Sequence, residues 1–292
     1  MEKQQPFMEW FFKRKLQQDS PFDRVIVHAV LIMACIMTIY PALRVLSISL
    51  RPGDRALSTS LSIIPSDATL ENFKKVIVEK EFVRWLWNSA VITMSTAIIG
   101  VILASTSAYA FSRWNFPGRT AGLIFLLTTQ MIPGVMLLVP IYILAAKLDI
   151  INTWIGLVVT YSVTSIPFSI WILKGYYDTI PEELEHAAMI DGTSQLGAFY
   201  RIILPLSAPA LSIVFLFNFM AAWNDFVLAR VILQKEAMYT WPLGLFRMMQ
   251  QFQTQWGMFS AGSLIVTIPV MTLFMASSKF LVTGLTLGGT KE

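Results

Sequence analysis

The sequence predicts an all-α integral membrane protein with six transmembrane helices. Three observations lead there. Of 292 residues, 55% are hydrophobic and only 14% charged, where soluble domains carry about 25% charge. Six apolar runs stand along the chain, each near the ~20 residues that a helix needs to cross the hydrocarbon core. Prolines and glycines interrupt several runs, which lipid tolerates only where neighbouring helices or water take up the freed backbone groups. Such kinks line a pathway in a transporter, and they also occur in any packed helix bundle.

The first run, residues 25–43, lies in a helix assigned to 25–50. It is long for a signal peptide, and no A-x-A-like cleavage site follows it. Residues 1–24 precede it as a polar cytoplasmic segment. There Lys13, Arg14 and Lys15 lie beside Trp10, Phe11 and Phe12, a mix suited to the inner membrane surface and its lipids. Residues 51–84 form a mixed extracytoplasmic segment in which Thr69 and Asn72 start a short helix. Residues 85–282 form a five-helix core. Its apolar runs are 87–111; 123–146, broken by Pro133, Gly134 and Pro140; 154–173, with Pro167; 206–231, with Trp223, Asn224 and Asp225 near the outer end; and 259–281, with Pro269. A glycine-rich tail, 283–292, closes the chain.

Six spans put both termini on one side. Lys and Arg are shared about evenly between the two sets of loops, so the short turn 112–119 and the basic N-terminus decide. That turn carries Arg113 and Arg119 and no acid, which places it and both termini in the cytoplasm.

Composition excludes much chemistry. The net charge of +4 needs no nucleic-acid partner. The one cysteine, Cys35, sits in an apolar run, and His28 and His186 are far apart, so neither a disulfide framework nor a metal site is expected. No phosphate-cradling G-x-x-x-x-G-K-[ST] or G-x-S-x-G elbow occurs. No catalysis by this chain and no cofactor are expected.

The most polar stretch of the core, 175–205, separates the fourth and fifth spans. Pro181 and the acids Glu182, Glu183 and Glu185 suit the first turn of a helix. Leu184, Ala187 and Ala188 give it a small apolar face. Gly192 is placed to stop it in the left-handed region, and Thr193 or Ser194 to cap a second helix. That helix runs to Pro205, which a helix interior rejects. An alanine face lets another backbone come close, as docking requires. An ordinary loop between two spans reads the same way on pattern alone.

The spacing of Ala187-Ala188, Gly192 and Ile202-x-Leu204-Pro205 resembles the EAA loop of binding-protein-dependent ABC transporter permeases. The segments WNS at Trp87, AYAFSRWNFPGR from Ala108, GYYDTIPEEL from Gly175 and WNDF from Trp223 are similar to carbohydrate-uptake permeases. The tail TGLTLGGTK resembles MalG-type subunits of maltose and maltodextrin importers. The chain departs from the motif in having His186 where a glutamate usually precedes the alanines, with Glu185 one place earlier.

This resemblance implies a MetI-like ABC importer permease fold in a bacterial inner membrane. It also implies a second, MalF-like permease, two cytoplasmic ATP-binding subunits and an extracytoplasmic sugar-binding protein. By the same resemblance Glu185, His186, Ala187, Ala188, Asp191 and Gly192 couple to the ATPase. Gly284, Leu285, Gly288 and Gly289 form an extended tail reaching between the ATPase subunits. Gln250, Gln251, Phe252, Gln253, Gln255 and Trp256 form a loop that enters the binding protein's sugar cleft. A frayed terminus and an interfacial loop with an aromatic anchor are the plain alternatives for the last two.

Two rival functions stand beside the importer. A stand-alone secondary transporter or channel needs an ionisable group at mid-membrane depth. A membrane enzyme needs clustered nucleophiles, acids or metal ligands.

Overall fold

The computed structural model describes residues 20–52, 62–78, 81–249 and 254–288, with side chains to residue 280. No strand occurs among the described residues. The fold divides into two units, residues 1–74 with 255–264, and residues 75–254 with 265–292.

In the first unit, α1 (Pro21–Ser49) begins at Ser20, whose hydroxyl accepts from the Asp23 N–H at 3.1 Å. Polar flanks and proline at the first position carry the helix well beyond the apolar run 25–43. α2 (Glu71–Val78) starts beside Thr69, as expected. Its Asn72 amide donates to the carbonyls of Ser49 and Arg51 at 2.9 and 2.8 Å, partners that the end of α1 lacks. Gly257 faces that amide so closely that a Cβ there would stand 2.5 Å from Asn72 Nδ2.

The second unit is organised on α3 (Phe82–Arg113), α6 (Trp154–Tyr177) and α9 (Ala208–Asn224). Ala97, Gly100, Ala104 and Ala108 form a buried small-residue stripe on α3, which lets neighbouring helices come close. Ile170, Leu173, Ile203 and Val214 fill the core against it. The WNS stretch also has a packing role. Asn88 donates to the carbonyls of Ala237 and Tyr239, both at 2.9 Å, and Ser89 accepts from the Trp241 N–H at 2.8 Å. These bonds tie the start of α11 (Trp241–Met249) to α3.

Among the described residues, four unbroken helices are long and apolar enough to span a membrane, and up to six spans result if two bent pairs each count as one. The third run is one such pair. α4 (Arg119–Gln130) meets the stretch 134–147, which ends in α5 (Leu138–Lys147), at 98°. Pro133 at the break has no N–H to continue the helix.

Two boundaries differ from expectation. The fifth span stops at Asn224 rather than near 231, and α10 (Val227–Ile232) follows as a separate turn. At the break the Asp225 backbone is extended, and its carboxylate accepts from the Ala229 N–H at 3.0 Å, satisfying one of the first donors of α10. α12 (Trp256–Gly288) runs helically through Gly284, Leu285 and Gly288, where an extended tail was expected. A lone glycine costs a helix about 1 kcal/mol, too little to stop one already propagating. Gly289 lies outside the described residues.

Candidate functional site

The elbow starts with α7 (Glu183–Ile190), just after Pro181. Gly192 ends it at φ +87°, a left-handed value that costs glycine nothing. Ser194 then caps the next helix by accepting from the Gly197 N–H at 3.1 Å. That helix, α8, is regular over Gln195–Ala198, widens to a π-turn over Phe199–Ile203 and closes at Leu204–Leu206. Proline at 205 is accommodated because a widened turn reassigns backbone partners around it. α8 meets α9 at 77°.

Glu185 turns inward and is buried. Its Oε1 pairs with Arg113 Nε at 2.5 Å, and Oε2 accepts from the Tyr109 hydroxyl. The Arg113 guanidinium also donates to the carbonyls of Tyr177 and Ile180, at 3.1 and 2.9 Å. It thereby closes the end of α6, whose last carbonyls have no helical partner and attract a cation. Ser112 Oγ donates to Asp178 Oδ1 at 2.7 Å, and Lys174 holds Oδ2 at 2.5 Å. The Tyr109 ring lies 4.6 Å from that of Phe199 in the π-turn. One cluster therefore fastens α3, α6, α7 and α8 together, built from the AYAFSR segment, from Tyr177, Asp178 and Ile180 of GYYDTIPEEL, and from Lys174, Glu185 and Phe199 outside both. Removing one partner of a buried ion pair typically costs 3–5 kcal/mol.

The opposite face of the elbow is open. His186, Ala187, Asp191 and Gly192 are exposed and Ala188 is half-buried. Ile190 is 86% exposed, and Leu184, Leu196 and Tyr200 stand out beside it. Of the six residues expected to couple, Glu185 alone is buried away from this face. Sequence reasoning used Arg113 only to orient the chain, and it missed Arg113 and Tyr109 as the partners of Glu185. A basic residue closing one span, set against an unexplained acid on the elbow, was the available signal.

The loop residues Gln250, Gln251, Phe252 and Gln253 lie outside the described residues. Gln255 Oε1 is buried without a partner, and Trp256 is partly exposed with its ring edge-on to Phe259 at 6.0 Å. No group of three or more His, Cys, Asp or Glu that could hold a metal occurs among the described residues.

Residues 86–286 match the family model described as "binding-protein-dependent transport system inner membrane component". The chain belongs to this family. The permease is 37% identical over 268 residues to the galactooligosaccharides transport system permease protein GanQ of Bacillus subtilis, covering 90% of this chain and 94% of the relative. It is 34% identical over 270 residues to the maltodextrin transport system permease protein MdxG of the same organism, covering 92% and 96%. It is also 34% identical over 284 residues to the maltose/maltodextrin transport system permease protein MalG of Escherichia coli K12, covering 91% and 95%. Among solved structures, a bacterial ABC transporter that imports the acidic polysaccharide alginate matches with a TM-score of 0.80 at 20% identity. That match covers 92% of the permease and 100% of the other chain, and it shows a shared fold. A bacterial alginate ABC transporter in complex with an alginate-pentasaccharide-bound periplasmic protein matches with a TM-score of 0.64 at 13% identity, covering 88% and 94%. The permease is thus a multi-pass inner-membrane protein with the importer-permease fold expected from its sequence.

Proposed function

We propose that this permease carries an oligosaccharide across the inner membrane as one half of an ATP-driven importer, and that its elbow is the seat of a cytoplasmic ATPase. The observation that carries the reading is the split of the elbow into an inner face locked by Glu185 and Arg113 and an outer apolar face headed by Ile190. A docking element needs both: a surface for the partner and a rigid connection to the spans that must move. His186, Ala187, Ala188, Asp191 and Gly192 meet the ATPase, while Glu185 positions the elbow from within. ATPase closure then displaces the elbow, and α3 and α6 follow because the charge cluster holds them to it. The permease alternates between two states, biased by ATP on one side and by a loaded binding protein on the other.

The partners follow: a second permease, two ATPase subunits and an extracytoplasmic sugar-binding protein, with both termini of this chain in the cytoplasm. Residues 250–256 reach toward the binding protein. Gly284, Leu285, Gly288 and Gly289 meet the ATPases, the first three as the end of a helix. The relatives' substrates, galactooligosaccharides, maltodextrin and maltose, support an oligosaccharide, and maltose is one member of that set.

Purification of the tagged permease from its native membrane tests the reading. A second multi-span protein and a Walker-motif ATPase should be recovered in fixed ratio. Ile190→Ser should keep the second multi-span protein and lose most of the ATPase. A permease recovered alone and intact would end the importer reading.

A further inference from the structure

At the end of the helical unit away from the elbow, α3, α6 and α9 enclose a cavity of about 190 Å³ lined by Thr96, Tyr161, Ser165, Asn218, Asp225 and Leu228. Acids and amides within spans face a bundle interior or water rather than lipid, and they mark pathways. Asn218 is 97% buried. Ser169 Oγ lies 3.0 Å from both Asn218 Oδ1 and the Ser165 carbonyl, and its single proton serves one of them, while Asn218 Nδ2 is buried without a partner. Gly100 makes room for it, since a Cβ there would stand 2.6 Å from Nδ2. The Ser165 hydroxyl is also buried without a partner. Across the cavity, Asp225 Oδ1 accepts from the Tyr161 hydroxyl at 2.9 Å and from the Ala229 N–H, while Oδ2 stays open as an acceptor.

These groups discriminate among ligands. A cation wants converging charged or carbonyl oxygens, whereas here a single carboxylate stands among neutral hydroxyls and an unpartnered amide N–H group. An anion is repelled by Asp225. Free donors beside a free carboxylate acceptor match a hydroxyl-bearing ligand, because each hydroxyl both donates and accepts. Leu228 offers an apolar wall for ring C–H groups. The volume holds roughly six waters at ~30 Å³ each, the space of one six-membered sugar ring.

We infer that this cavity is a subsite for a single sugar ring of the transported oligosaccharide, with Asn218, Ser165 and Asp225 hydrogen-bonding its hydroxyls. The inference rests on the oligosaccharide reading above and goes beyond it by giving this subunit its own share of the substrate.

The test uses the complete importer in proteoliposomes, with maltotriose and a β-galactotriose as probes. Uptake of either by the unmodified importer first establishes the oligosaccharide reading on its own. Ser165→Cys in a Cys35→Ser background then gives one thiol in the cavity. Saturating transported sugar should slow its labelling by a small methanethiosulfonate at least fivefold. Adding Asn218→Leu should reduce that protection to less than twofold and lower sugar transported per ATP about tenfold. If Asn218→Leu fails to assemble, the near-isosteric Ser165→Cys carries the test alone. A thiol that never reacts, or one whose labelling ignores a sugar that the importer takes up, overturns the subsite while leaving the importer reading intact.

Discussion

The Glu185–Arg113 ion pair and the Asn218 cavity treat buried polarity in opposite ways. At the elbow, both Glu185 oxygens and all three Arg113 nitrogens have partners, four of them on other elements. Around the cavity the Asn218 amide nitrogen and the Ser165 hydroxyl are buried too, and neither has a partner. A satisfied network in a low-dielectric interior is rigid, whereas an unsatisfied one gains free energy from whatever completes it. The first arrangement suits transmission of a displacement, and the second suits transient occupancy. A transporter needs one of each, at a distance from one another.

The contrast breaks most forcefully at the ion pair. Glu185→Ala leaves the Arg113 charge buried and should cost about 3–5 kcal/mol, read as a lower unfolding temperature of the detergent-solubilised protein. Replacing both residues by methionine should recover much of that loss, because apolar pairs of similar volume often equal a buried ion pair. A double-variant loss equal to the sum of the two single-variant losses would mean that the two side chains are not energetically coupled.

A smaller effect is expected at Gly192. A Cβ there meets nothing within 4 Å, so Gly192→Ala suffers only from the left-handed backbone, about 1–2 kcal/mol. Gly192→Asn should suffer less, since asparagine tolerates that region. Equal losses in the two variants would point to contact with a partner rather than backbone strain. Ser194→Ala is the mildest change. It removes one cap and should cost about 1 kcal/mol, seen as a small loss of thermal stability with ATPase recovery retained.

Gly192 and Ser194 are legible in the sequence because turn and cap chemistry is local, settled by residues two or three positions apart. The apolar runs are legible for the same reason. The inward turn of Glu185 is not, because its partner lies 72 positions away and only packing brings them together. The sequence set Leu184, Ala187 and Ala188 on a docking face. The structure exposes Leu184 and Ala187, half-buries Ala188, and adds Ile190 as the most prominent apolar side chain of the elbow. Asp225 reads as a simple interfacial residue in the sequence, since its grip on Tyr161 requires α6 and α9 to be side by side. The Asn218 cavity is invisible at that level, because it is a gap between three helices and no segment encodes it.

The 98° break at Pro133 has a consequence for the cell as well as for the fold. The Thr129 carbonyl loses the helical partner that residue 133 would supply, and Met131, Val135 and Met136 project outward beside it. Irregular backbone at membrane depth is tolerated only against protein or a water-filled space. A permease made in excess of whatever covers this break carries an exposed defect in the bilayer. Surplus copies are then expected to be cleared faster than assembled ones, which pulse-chase of this permease expressed with and without its partner subunits would measure.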